Sequence, residues 1–74
     1  MARWRLKELA EARGITRYRL VKTTGLSPGA IQRIWANTAS RADMHTLTML
    51  AQALGVAPGE LIGEGPGPIE EGEQ

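Results

Sequence analysis

Gln32 and Arg33 are adjacent side chains whose chemistry suits the edges of nucleic-acid bases. A glutamine amide can make two hydrogen bonds to adenine N6 and N7, and a guanidinium can make two to guanine O6 and N7. Each such pair contributes about 1–3 kcal/mol of discrimination between bases. In a helix starting near Pro28, both residues fall on the side opposite Ile31 and Ile34. The spacing therefore predicts a short helix that presents an amide and a guanidinium together on an exposed face.

The basic residues are concentrated in the first half of the chain. All nine lysines and arginines lie between Arg3 and Arg41, where only Glu8 and Glu11 oppose them, so this stretch carries a net charge of +7. The whole chain carries only +1. A clustered positive half is expected of a protein that binds a polyanion, and a solvated basic surface without a partner gives the same count.

The composition argues against several other functions. A chain of 74 residues has room for one domain, and with no cysteine and one histidine it offers neither a disulfide framework nor a typical zinc site. His45 has no partners at ligand spacing, and Ser27 is explained by helix capping. We therefore expect no cofactor and no enzymatic activity. The sequence has neither a signal peptide nor a long apolar run, so we expect a cytoplasmic, nucleoid-associated protein without a membrane partner.

Cap residues set the expected helix boundaries. Thr16, Ser27 and Asp43 are oxygen-bearing N-caps, and Pro28 suits the first position of a helix. Gly14, Gly25 and Gly55 are typical of helix ends. The predicted helices are 3–13, 17–24, 28–36 and 44–54, with a loop at 37–42 and a last helical turn at 58–62.

Apolar spacing predicts which sides of these helices face the core. Leu6, Leu9 and Ala10 repeat at helical intervals in the first helix, and Trp4 and Trp35 are expected in the core or at its edge. The fourth helix has the longest apolar stripe. Its members are Met44, Leu47, Leu50, Ala51 and Leu54.

The last twelve residues differ in composition from the rest. Residues 63–74 contain four glycines, two prolines and four glutamates with one aliphatic side chain. We expect them to form a disordered acidic tail after a folded domain at 1–62, because they bury too little apolar surface to offset the entropy of ordering. Such a tail could compete with phosphates for the basic surface.

The stretch from Thr16 to Ile34 resembles the helix-turn-helix of the lambda-repressor-like family, also called the Cro/XRE family. It has the pattern Thr-x-x-x-Leu-x-x-x-Thr-Gly-Leu-Ser-x-x-x-Ile-x-x-Ile, and the segment from Asp43 to Leu61 is similar to that family's fourth and fifth helices. The resemblance covers residues 6–62. It implies an all-α, compact five-helix DNA-binding domain in the minimal form of the family, without a ligand-binding domain or a small-molecule effector.

The resemblance also implies a site. Base readout is expected from Ser27, Pro28, Gly29, Gln32 and Arg33. Contacts to DNA phosphates are expected from Arg17, Tyr18, Asn37, Thr38 and Arg41. The implied protein is a transcriptional regulator of double-stranded DNA, a repressor or antitoxin-like protein that acts as a homodimer. Its dimer surface is expected near Pro58, Leu61 and Ile62.

A second interpretation remains open at this point. Relatives often carry polar base-reading side chains where this chain has Pro28 and Gly29. The same fold could therefore serve as a protein-interaction module with little DNA specificity.

Overall fold

The structure is a computed structural model that describes residues 2–69. Four α-helices form most of it, together with a short 3-10 helix and a two-stranded antiparallel sheet. In chain order the elements are β1 (Ala2–Trp4), α1 (Leu6–Ala12), α2 (Arg17–Thr24), α3 (Pro28–Trp35), α4 (Met44–Leu54), the 3-10 helix (Pro58–Leu61) and β2 (Ile62–Glu64).

The helix-turn-helix is α2, its turn and α3. Thr16 Oγ1 accepts a hydrogen bond from the N–H of Arg19 at 3.1 Å, and Ser27 Oγ accepts one from Ala30 at 3.2 Å, so both predicted N-caps are confirmed. Gly25 ends α2 with φ of 76°, a left-handed conformation that glycine adopts without a Cβ penalty. The Thr24 hydroxyl donates to Leu20 O at 2.6 Å and accepts from Leu26 N at 3.2 Å, which fixes the turn.

The core lies between the helices. Its largest fully buried side chains come from α1, α2, α3, α4 and the 3-10 helix, so every helix contributes to one apolar cluster. These side chains are Leu6, Leu20, Ile31, Leu50 and Leu61. Asp43 caps α4 as predicted, but Met44 is 68% exposed, because it is the first residue of α4 and projects beyond the core.

The prediction of five α-helices is wrong. The fifth is a single 3-10 turn, in which Glu60 N donates to Ala57 O at 2.9 Å, and the chain is already extended at Ile62. At the other end, α1 begins at Leu6 and not at residue 3, because Ala2–Trp4 form a strand. The fold is therefore mostly helical and not all-α.

β1 and β2 join the two ends of the described chain. The register pairs Ala2 with Glu64, Arg3 with Gly63 and Trp4 with Ile62. On the other edge of β1, Ala2 exchanges backbone hydrogen bonds with Ile69, whose side chain is buried.

The structure does not show the disordered tail that we expected from residue 63. Residues 63–69 run along one edge of β1, cross over it and return on the other edge. A Cβ on Gly67 would lie 2.6 Å from Ala2 O, so this glycine permits the close crossing. Ordering residues 63–69 costs conformational entropy, and from composition alone we expected this cost to keep them disordered. The backbone hydrogen bonds of Ile69 and the burial of its side chain offset that cost. The rest of the predicted tail, residues 70–74, lies outside the described residues.

Candidate nucleic-acid interface

The exposed face of α3 carries four of the five residues predicted to read bases. Ile31 and Ile34 are 1% and 2% exposed and hold the opposite face against the core. Residues 28, 29, 32 and 33 are all exposed and fall on one side, because positions four apart lie one above the other on a helix. The structure thus brings Pro28, Gly29, Gln32 and Arg33 together.

Ser27, the fifth predicted base contact, is the N-cap of α3. Its Oγ accepts a hydrogen bond from the N–H of Ala30, so one lone pair is occupied while the hydroxyl hydrogen remains available as a donor. Pro28 follows at the first helical position. Capping is thus shown for Ser27, and its contact with DNA stays a prediction.

Arg33 folds back toward the start of α3. Its Nη1 lies 3.9 Å from the position that a Cβ on Gly29 would occupy. The absence of a side chain at Gly29 leaves the guanidinium close to the helix beginning. The surface at the start of α3 is therefore basic, and no side chain protrudes from it at Gly29. A nucleic-acid strand can approach the backbone of α3 closely at this point.

The start of α2 adds a second basic region. Arg17 is exposed, and its guanidinium carbon lies 5.9 Å from the centroid of the Trp35 ring, a cation–π distance. Tyr18 is 70% exposed, with Lys22 Nζ 5.3 Å from its ring centroid and 3.5 Å from its hydroxyl oxygen. The Tyr18 hydroxyl therefore lies beside a positive charge.

The loop after α3 uses two of its predicted phosphate contacts internally. Asn37 has φ of 62°, and its Oδ1 accepts a hydrogen bond from Trp4 N at 2.8 Å. The Thr38 hydroxyl donates to Arg33 O at 3.2 Å. The amide nitrogen of Asn37 can still donate to a phosphate, whereas the Thr38 hydroxyl would first have to leave the end of α3.

Two grooves flank α3. The groove on the α1 side has a volume of about 590 Å³, and its lining includes Lys7, Arg17, Gln32 and Asn37 together with the carboxylates of Glu8 and Glu11. The groove on the α4 side has a volume of about 370 Å³, and its lining includes Arg33 and Arg41. The structure therefore places α3 as a ridge with arginines on both sides.

Not all of the basic residues are equally available. Glu8 accepts hydrogen bonds from Arg3 at 3.2 Å and from Arg5 at 3.0 Å, and these bonds, that of Arg5 first, hold the pKa of Glu8 below its ordinary value. Two of the arginines thus share one carboxylate. The ion pairs of residues 2–69 include neither Arg17, Arg33 nor Arg41, which leaves these three to face a polyanion.

Sequence reasoning missed the partnership of Arg17 with Trp35. Trp35 was expected in the core or at its edge, and it lies half-buried, packed against the core. Its contact with Arg17 joins two helices, and no periodicity within either helix signals it. Lys7, which the sequence analysis did not single out, also lines the α1-side groove.

Within residues 2–69 no cluster of three or more histidine or acidic side chains is arranged to hold a metal ion. In that same part of the chain, none of the helices has the length and apolar character needed to cross a membrane.

Comparison with known proteins gives a consistent result. The family model for the Cro/C1-type helix-turn-helix DNA-binding domain matches residues 5–63. A crystal structure of a protein from Bacteroides fragilis, described as DNA-binding, is similar with a TM-score of 0.74 and 27% sequence identity. The match covers 85% of this chain and 100% of that one. Among curated proteins, no sequence matches.

Proposed function

The chain belongs to the Cro/C1-type helix-turn-helix DNA-binding domain family, and we propose that it regulates transcription by inserting α3 into the major groove of duplex DNA. The major groove of B-DNA is about 12 Å wide and admits one α-helix. The observation that carries the proposal is the position of α3 as an exposed ridge between two grooves that contain arginines.

The exposed face of α3 supplies the base contacts. Arg33 would donate to guanine O6 and N7, and Gln32 would pair with adenine N6 and N7. Pro28 and Gly29 have no polar side-chain atoms, so their role is to let the start of α3 approach the bases closely. Ser27 can add a hydroxyl donor at the same end.

The flanking residues supply phosphate contacts that fix the register of the protein on DNA. Arg17 lies at the start of α2, where helix N–H groups also favour an anion. Tyr18 and the Asn37 amide extend this side, and Arg41 with Thr38 forms the other. We expect no catalytic step, because all of these contacts are to intact DNA.

The finer role we propose is that of a repressor or an antitoxin-like regulator. One such module makes few phosphate contacts, so we expect a homodimer on a near-palindromic site with half-sites about one helical turn apart, some 34–36 Å. The dimer surface expected from the sequence needs revision. Leu61 is fully buried, whereas Pro58 and Ile62 are exposed and remain candidates.

A second candidate function is the binding of a protein partner. A cavity of about 470 Å³ between α2 and α3 is lined mainly by apolar atoms of Tyr18, Val21, Pro28 and Ile31. An apolar cavity of this size beside an exposed tyrosine also suits a partner side chain.

Fluorescence anisotropy across a salt series distinguishes the two functions. The DNA proposal predicts that the wild type prefers the upstream region of its own gene over random duplex, with affinity falling steeply as salt rises. Arg33→Ala should abolish the preference and keep most of the non-specific binding. Weak binding that is indifferent to Arg33 would contradict the DNA proposal and favour the protein partner.

A further inference from the structure

Arg17 and Trp35 connect the two helices of the helix-turn-helix on its exposed side. Arg17 is the first residue of α2, and Trp35 is the last residue of α3. The guanidinium carbon lies 5.9 Å from the ring centroid. Both side chains line the α1-side groove, which Gln32 also lines.

The two partners differ in how firmly they are held. Trp35 is half-buried and packs against the core, so its ring has a fixed orientation. Arg17 is exposed, and a long arginine side chain loses much rotamer freedom when it binds a ligand. A guanidinium that is already held near a ring of fixed orientation loses less rotamer freedom when it binds a ligand.

The cation–π contact leaves the guanidinium able to bind an anion. A ring attracts the cation through its face, whereas the five N–H donors of arginine point outward in the plane of the group. Within residues 2–69, the ion pairs are those of Arg3 and Arg5 with Glu8, so Arg17 is not held by a carboxylate there. Arg17 can therefore keep its cation–π contact with Trp35 and donate hydrogen bonds to an anion at the same time.

We propose that Trp35 is a positioning residue, which holds Arg17 ready for a DNA phosphate and ties that contact to the base-reading face of α3. The inference rests on the proposed function, because it assigns a role within the same interface. It makes the orientation of a phosphate contact on α2 depend on a side chain from α3.

A double-mutant cycle on duplex binding tests this role. Arg17→Ala should weaken binding by about tenfold and reduce the slope of log K against log salt by about 0.9, the value for one lost phosphate contact. In the Trp35→Leu background, where Arg17 has lost its platform, the same change should weaken binding by only about threefold or less. Arg19→Ala removes an equal charge from α2 and should have the same effect in both backgrounds.

Two further measurements separate positioning from folding. Trp35→Phe keeps an aromatic face. In this background, Arg17→Ala should therefore weaken binding by nearly as much as it does in the wild type. In the free protein, the Arg17 side-chain protons should show an upfield ring-current shift by NMR, which Trp35→Leu should remove. Trp35→Met replaces the leucine variant if thermal melting shows that the latter is unfolded at the assay temperature.

The outcomes distinguish this role from the proposed function. Equal losses from Arg17→Ala in the wild-type and Trp35→Leu backgrounds would overturn the positioning role and leave DNA binding by α3 intact. No upfield shift at Arg17 would also overturn it. If the wild type fails to bind duplex DNA at all, the proposed function and the positioning role fall together.

Discussion

At the scale of single residues, Arg41 tests the difference between a phosphate contact and a base contact. It is exposed and lines the α4-side groove together with Arg33. Because phosphates carry no sequence information, Arg41→Ala should weaken binding to all duplexes by a similar factor. The slope of log K against log salt should fall by about 0.9, as measured by anisotropy at several salt concentrations.

Arg13 provides the matched control for Arg41. Its Nη1 donates to Leu9 O at 3.2 Å near the end of α1, and it lines neither groove beside α3. Arg13→Ala removes the same charge and should leave the slope nearly unchanged. If the two alanine variants change the salt slope equally, Arg41 contributes only to the overall positive charge of the protein and makes no phosphate contact of its own.

Residue types alone predicted the exposed face of α3 but not how side chains would be used. Gln32 and Arg33 follow from helical spacing opposite Ile31 and Ile34, which are both buried. In contrast, Asn37 is bonded to Trp4 N. That contact depends on a strand that the sequence did not signal, so long-range pairing decides what this half-buried amide does.

At the scale of elements, the N-cap of α4 predicts a pH effect on stability. Asp43 accepts hydrogen bonds from the Thr46 hydroxyl at 2.7 Å and from the Thr46 N–H at 3.2 Å. These bonds, the side-chain one first, hold the pKa of Asp43 below its ordinary value of 3.8. The stabilisation that ionised Asp43 provides is therefore fully present above pH 3.8. It is lost as the pH falls through the lower pKa that Asp43 has in the folded state.

Asp43→Ala should lower the free energy of unfolding at pH 7, because α4 loses its cap. Urea denaturation at pH 7 and pH 3 should show that Asp43→Ala loses less stability on acidification than the wild type does. Asp43→Asn keeps an acceptor without a titrating group and serves as the control. An acid dependence identical in all three proteins would contradict the assignment.

The contact of β1 with the loop after α3 predicts a second stability effect. Trp4 is buried, and its Nε1 donates to Ala39 O at 2.7 Å. Trp4→Phe leaves this carbonyl without its partner, which should lower the free energy of unfolding by about 1–3 kcal/mol. Tyr18→Phe removes an exposed hydroxyl and should change it little. Equal stability of the two variants in urea would show that the bond contributes nothing.

The four α-helices were predictable from local signals, apart from the start of α1, whereas the sheet was not. Thr16, Ser27 and Asp43 each act within three residues, so spacing along the chain identifies them. β1 is three residues long and pairs with residues near the other end of the chain. A segment that short has no periodicity, and its partner is specified only by the completed core.

At the scale of the whole molecule, charge is divided between a basic first half and an acidic end. Residues 70–74 include three glutamates, and they follow Ile69, which pairs with Ala2 beside Arg3. We expect their charge to weaken non-specific binding. Replacing the three glutamates by glutamine should tighten binding to random duplex a few-fold at low salt and leave the melting temperature unchanged.

Shortening the chain to end at Ile69 provides a second form of the same test. It removes the carboxylates without disturbing the backbone pairing of Ile69 with Ala2. Both variants should behave alike in anisotropy titrations with random duplex. Unchanged affinity in both would mean that the acidic end does not compete with DNA.

Paired changes in the protein and the DNA test whether Arg33 reads a base from the major groove. A preferred duplex is selected first. Each of its guanines is then replaced in turn by 7-deazaguanine, which lacks the N7 acceptor. At one guanine the wild type should lose about tenfold or more in affinity, within the 1–3 kcal/mol of a bidentate pair, and Arg33→Ala should lose nothing further. Wild-type binding that is unaffected at every guanine, or an equal loss in both proteins, would show that Arg33 does not read a guanine N7.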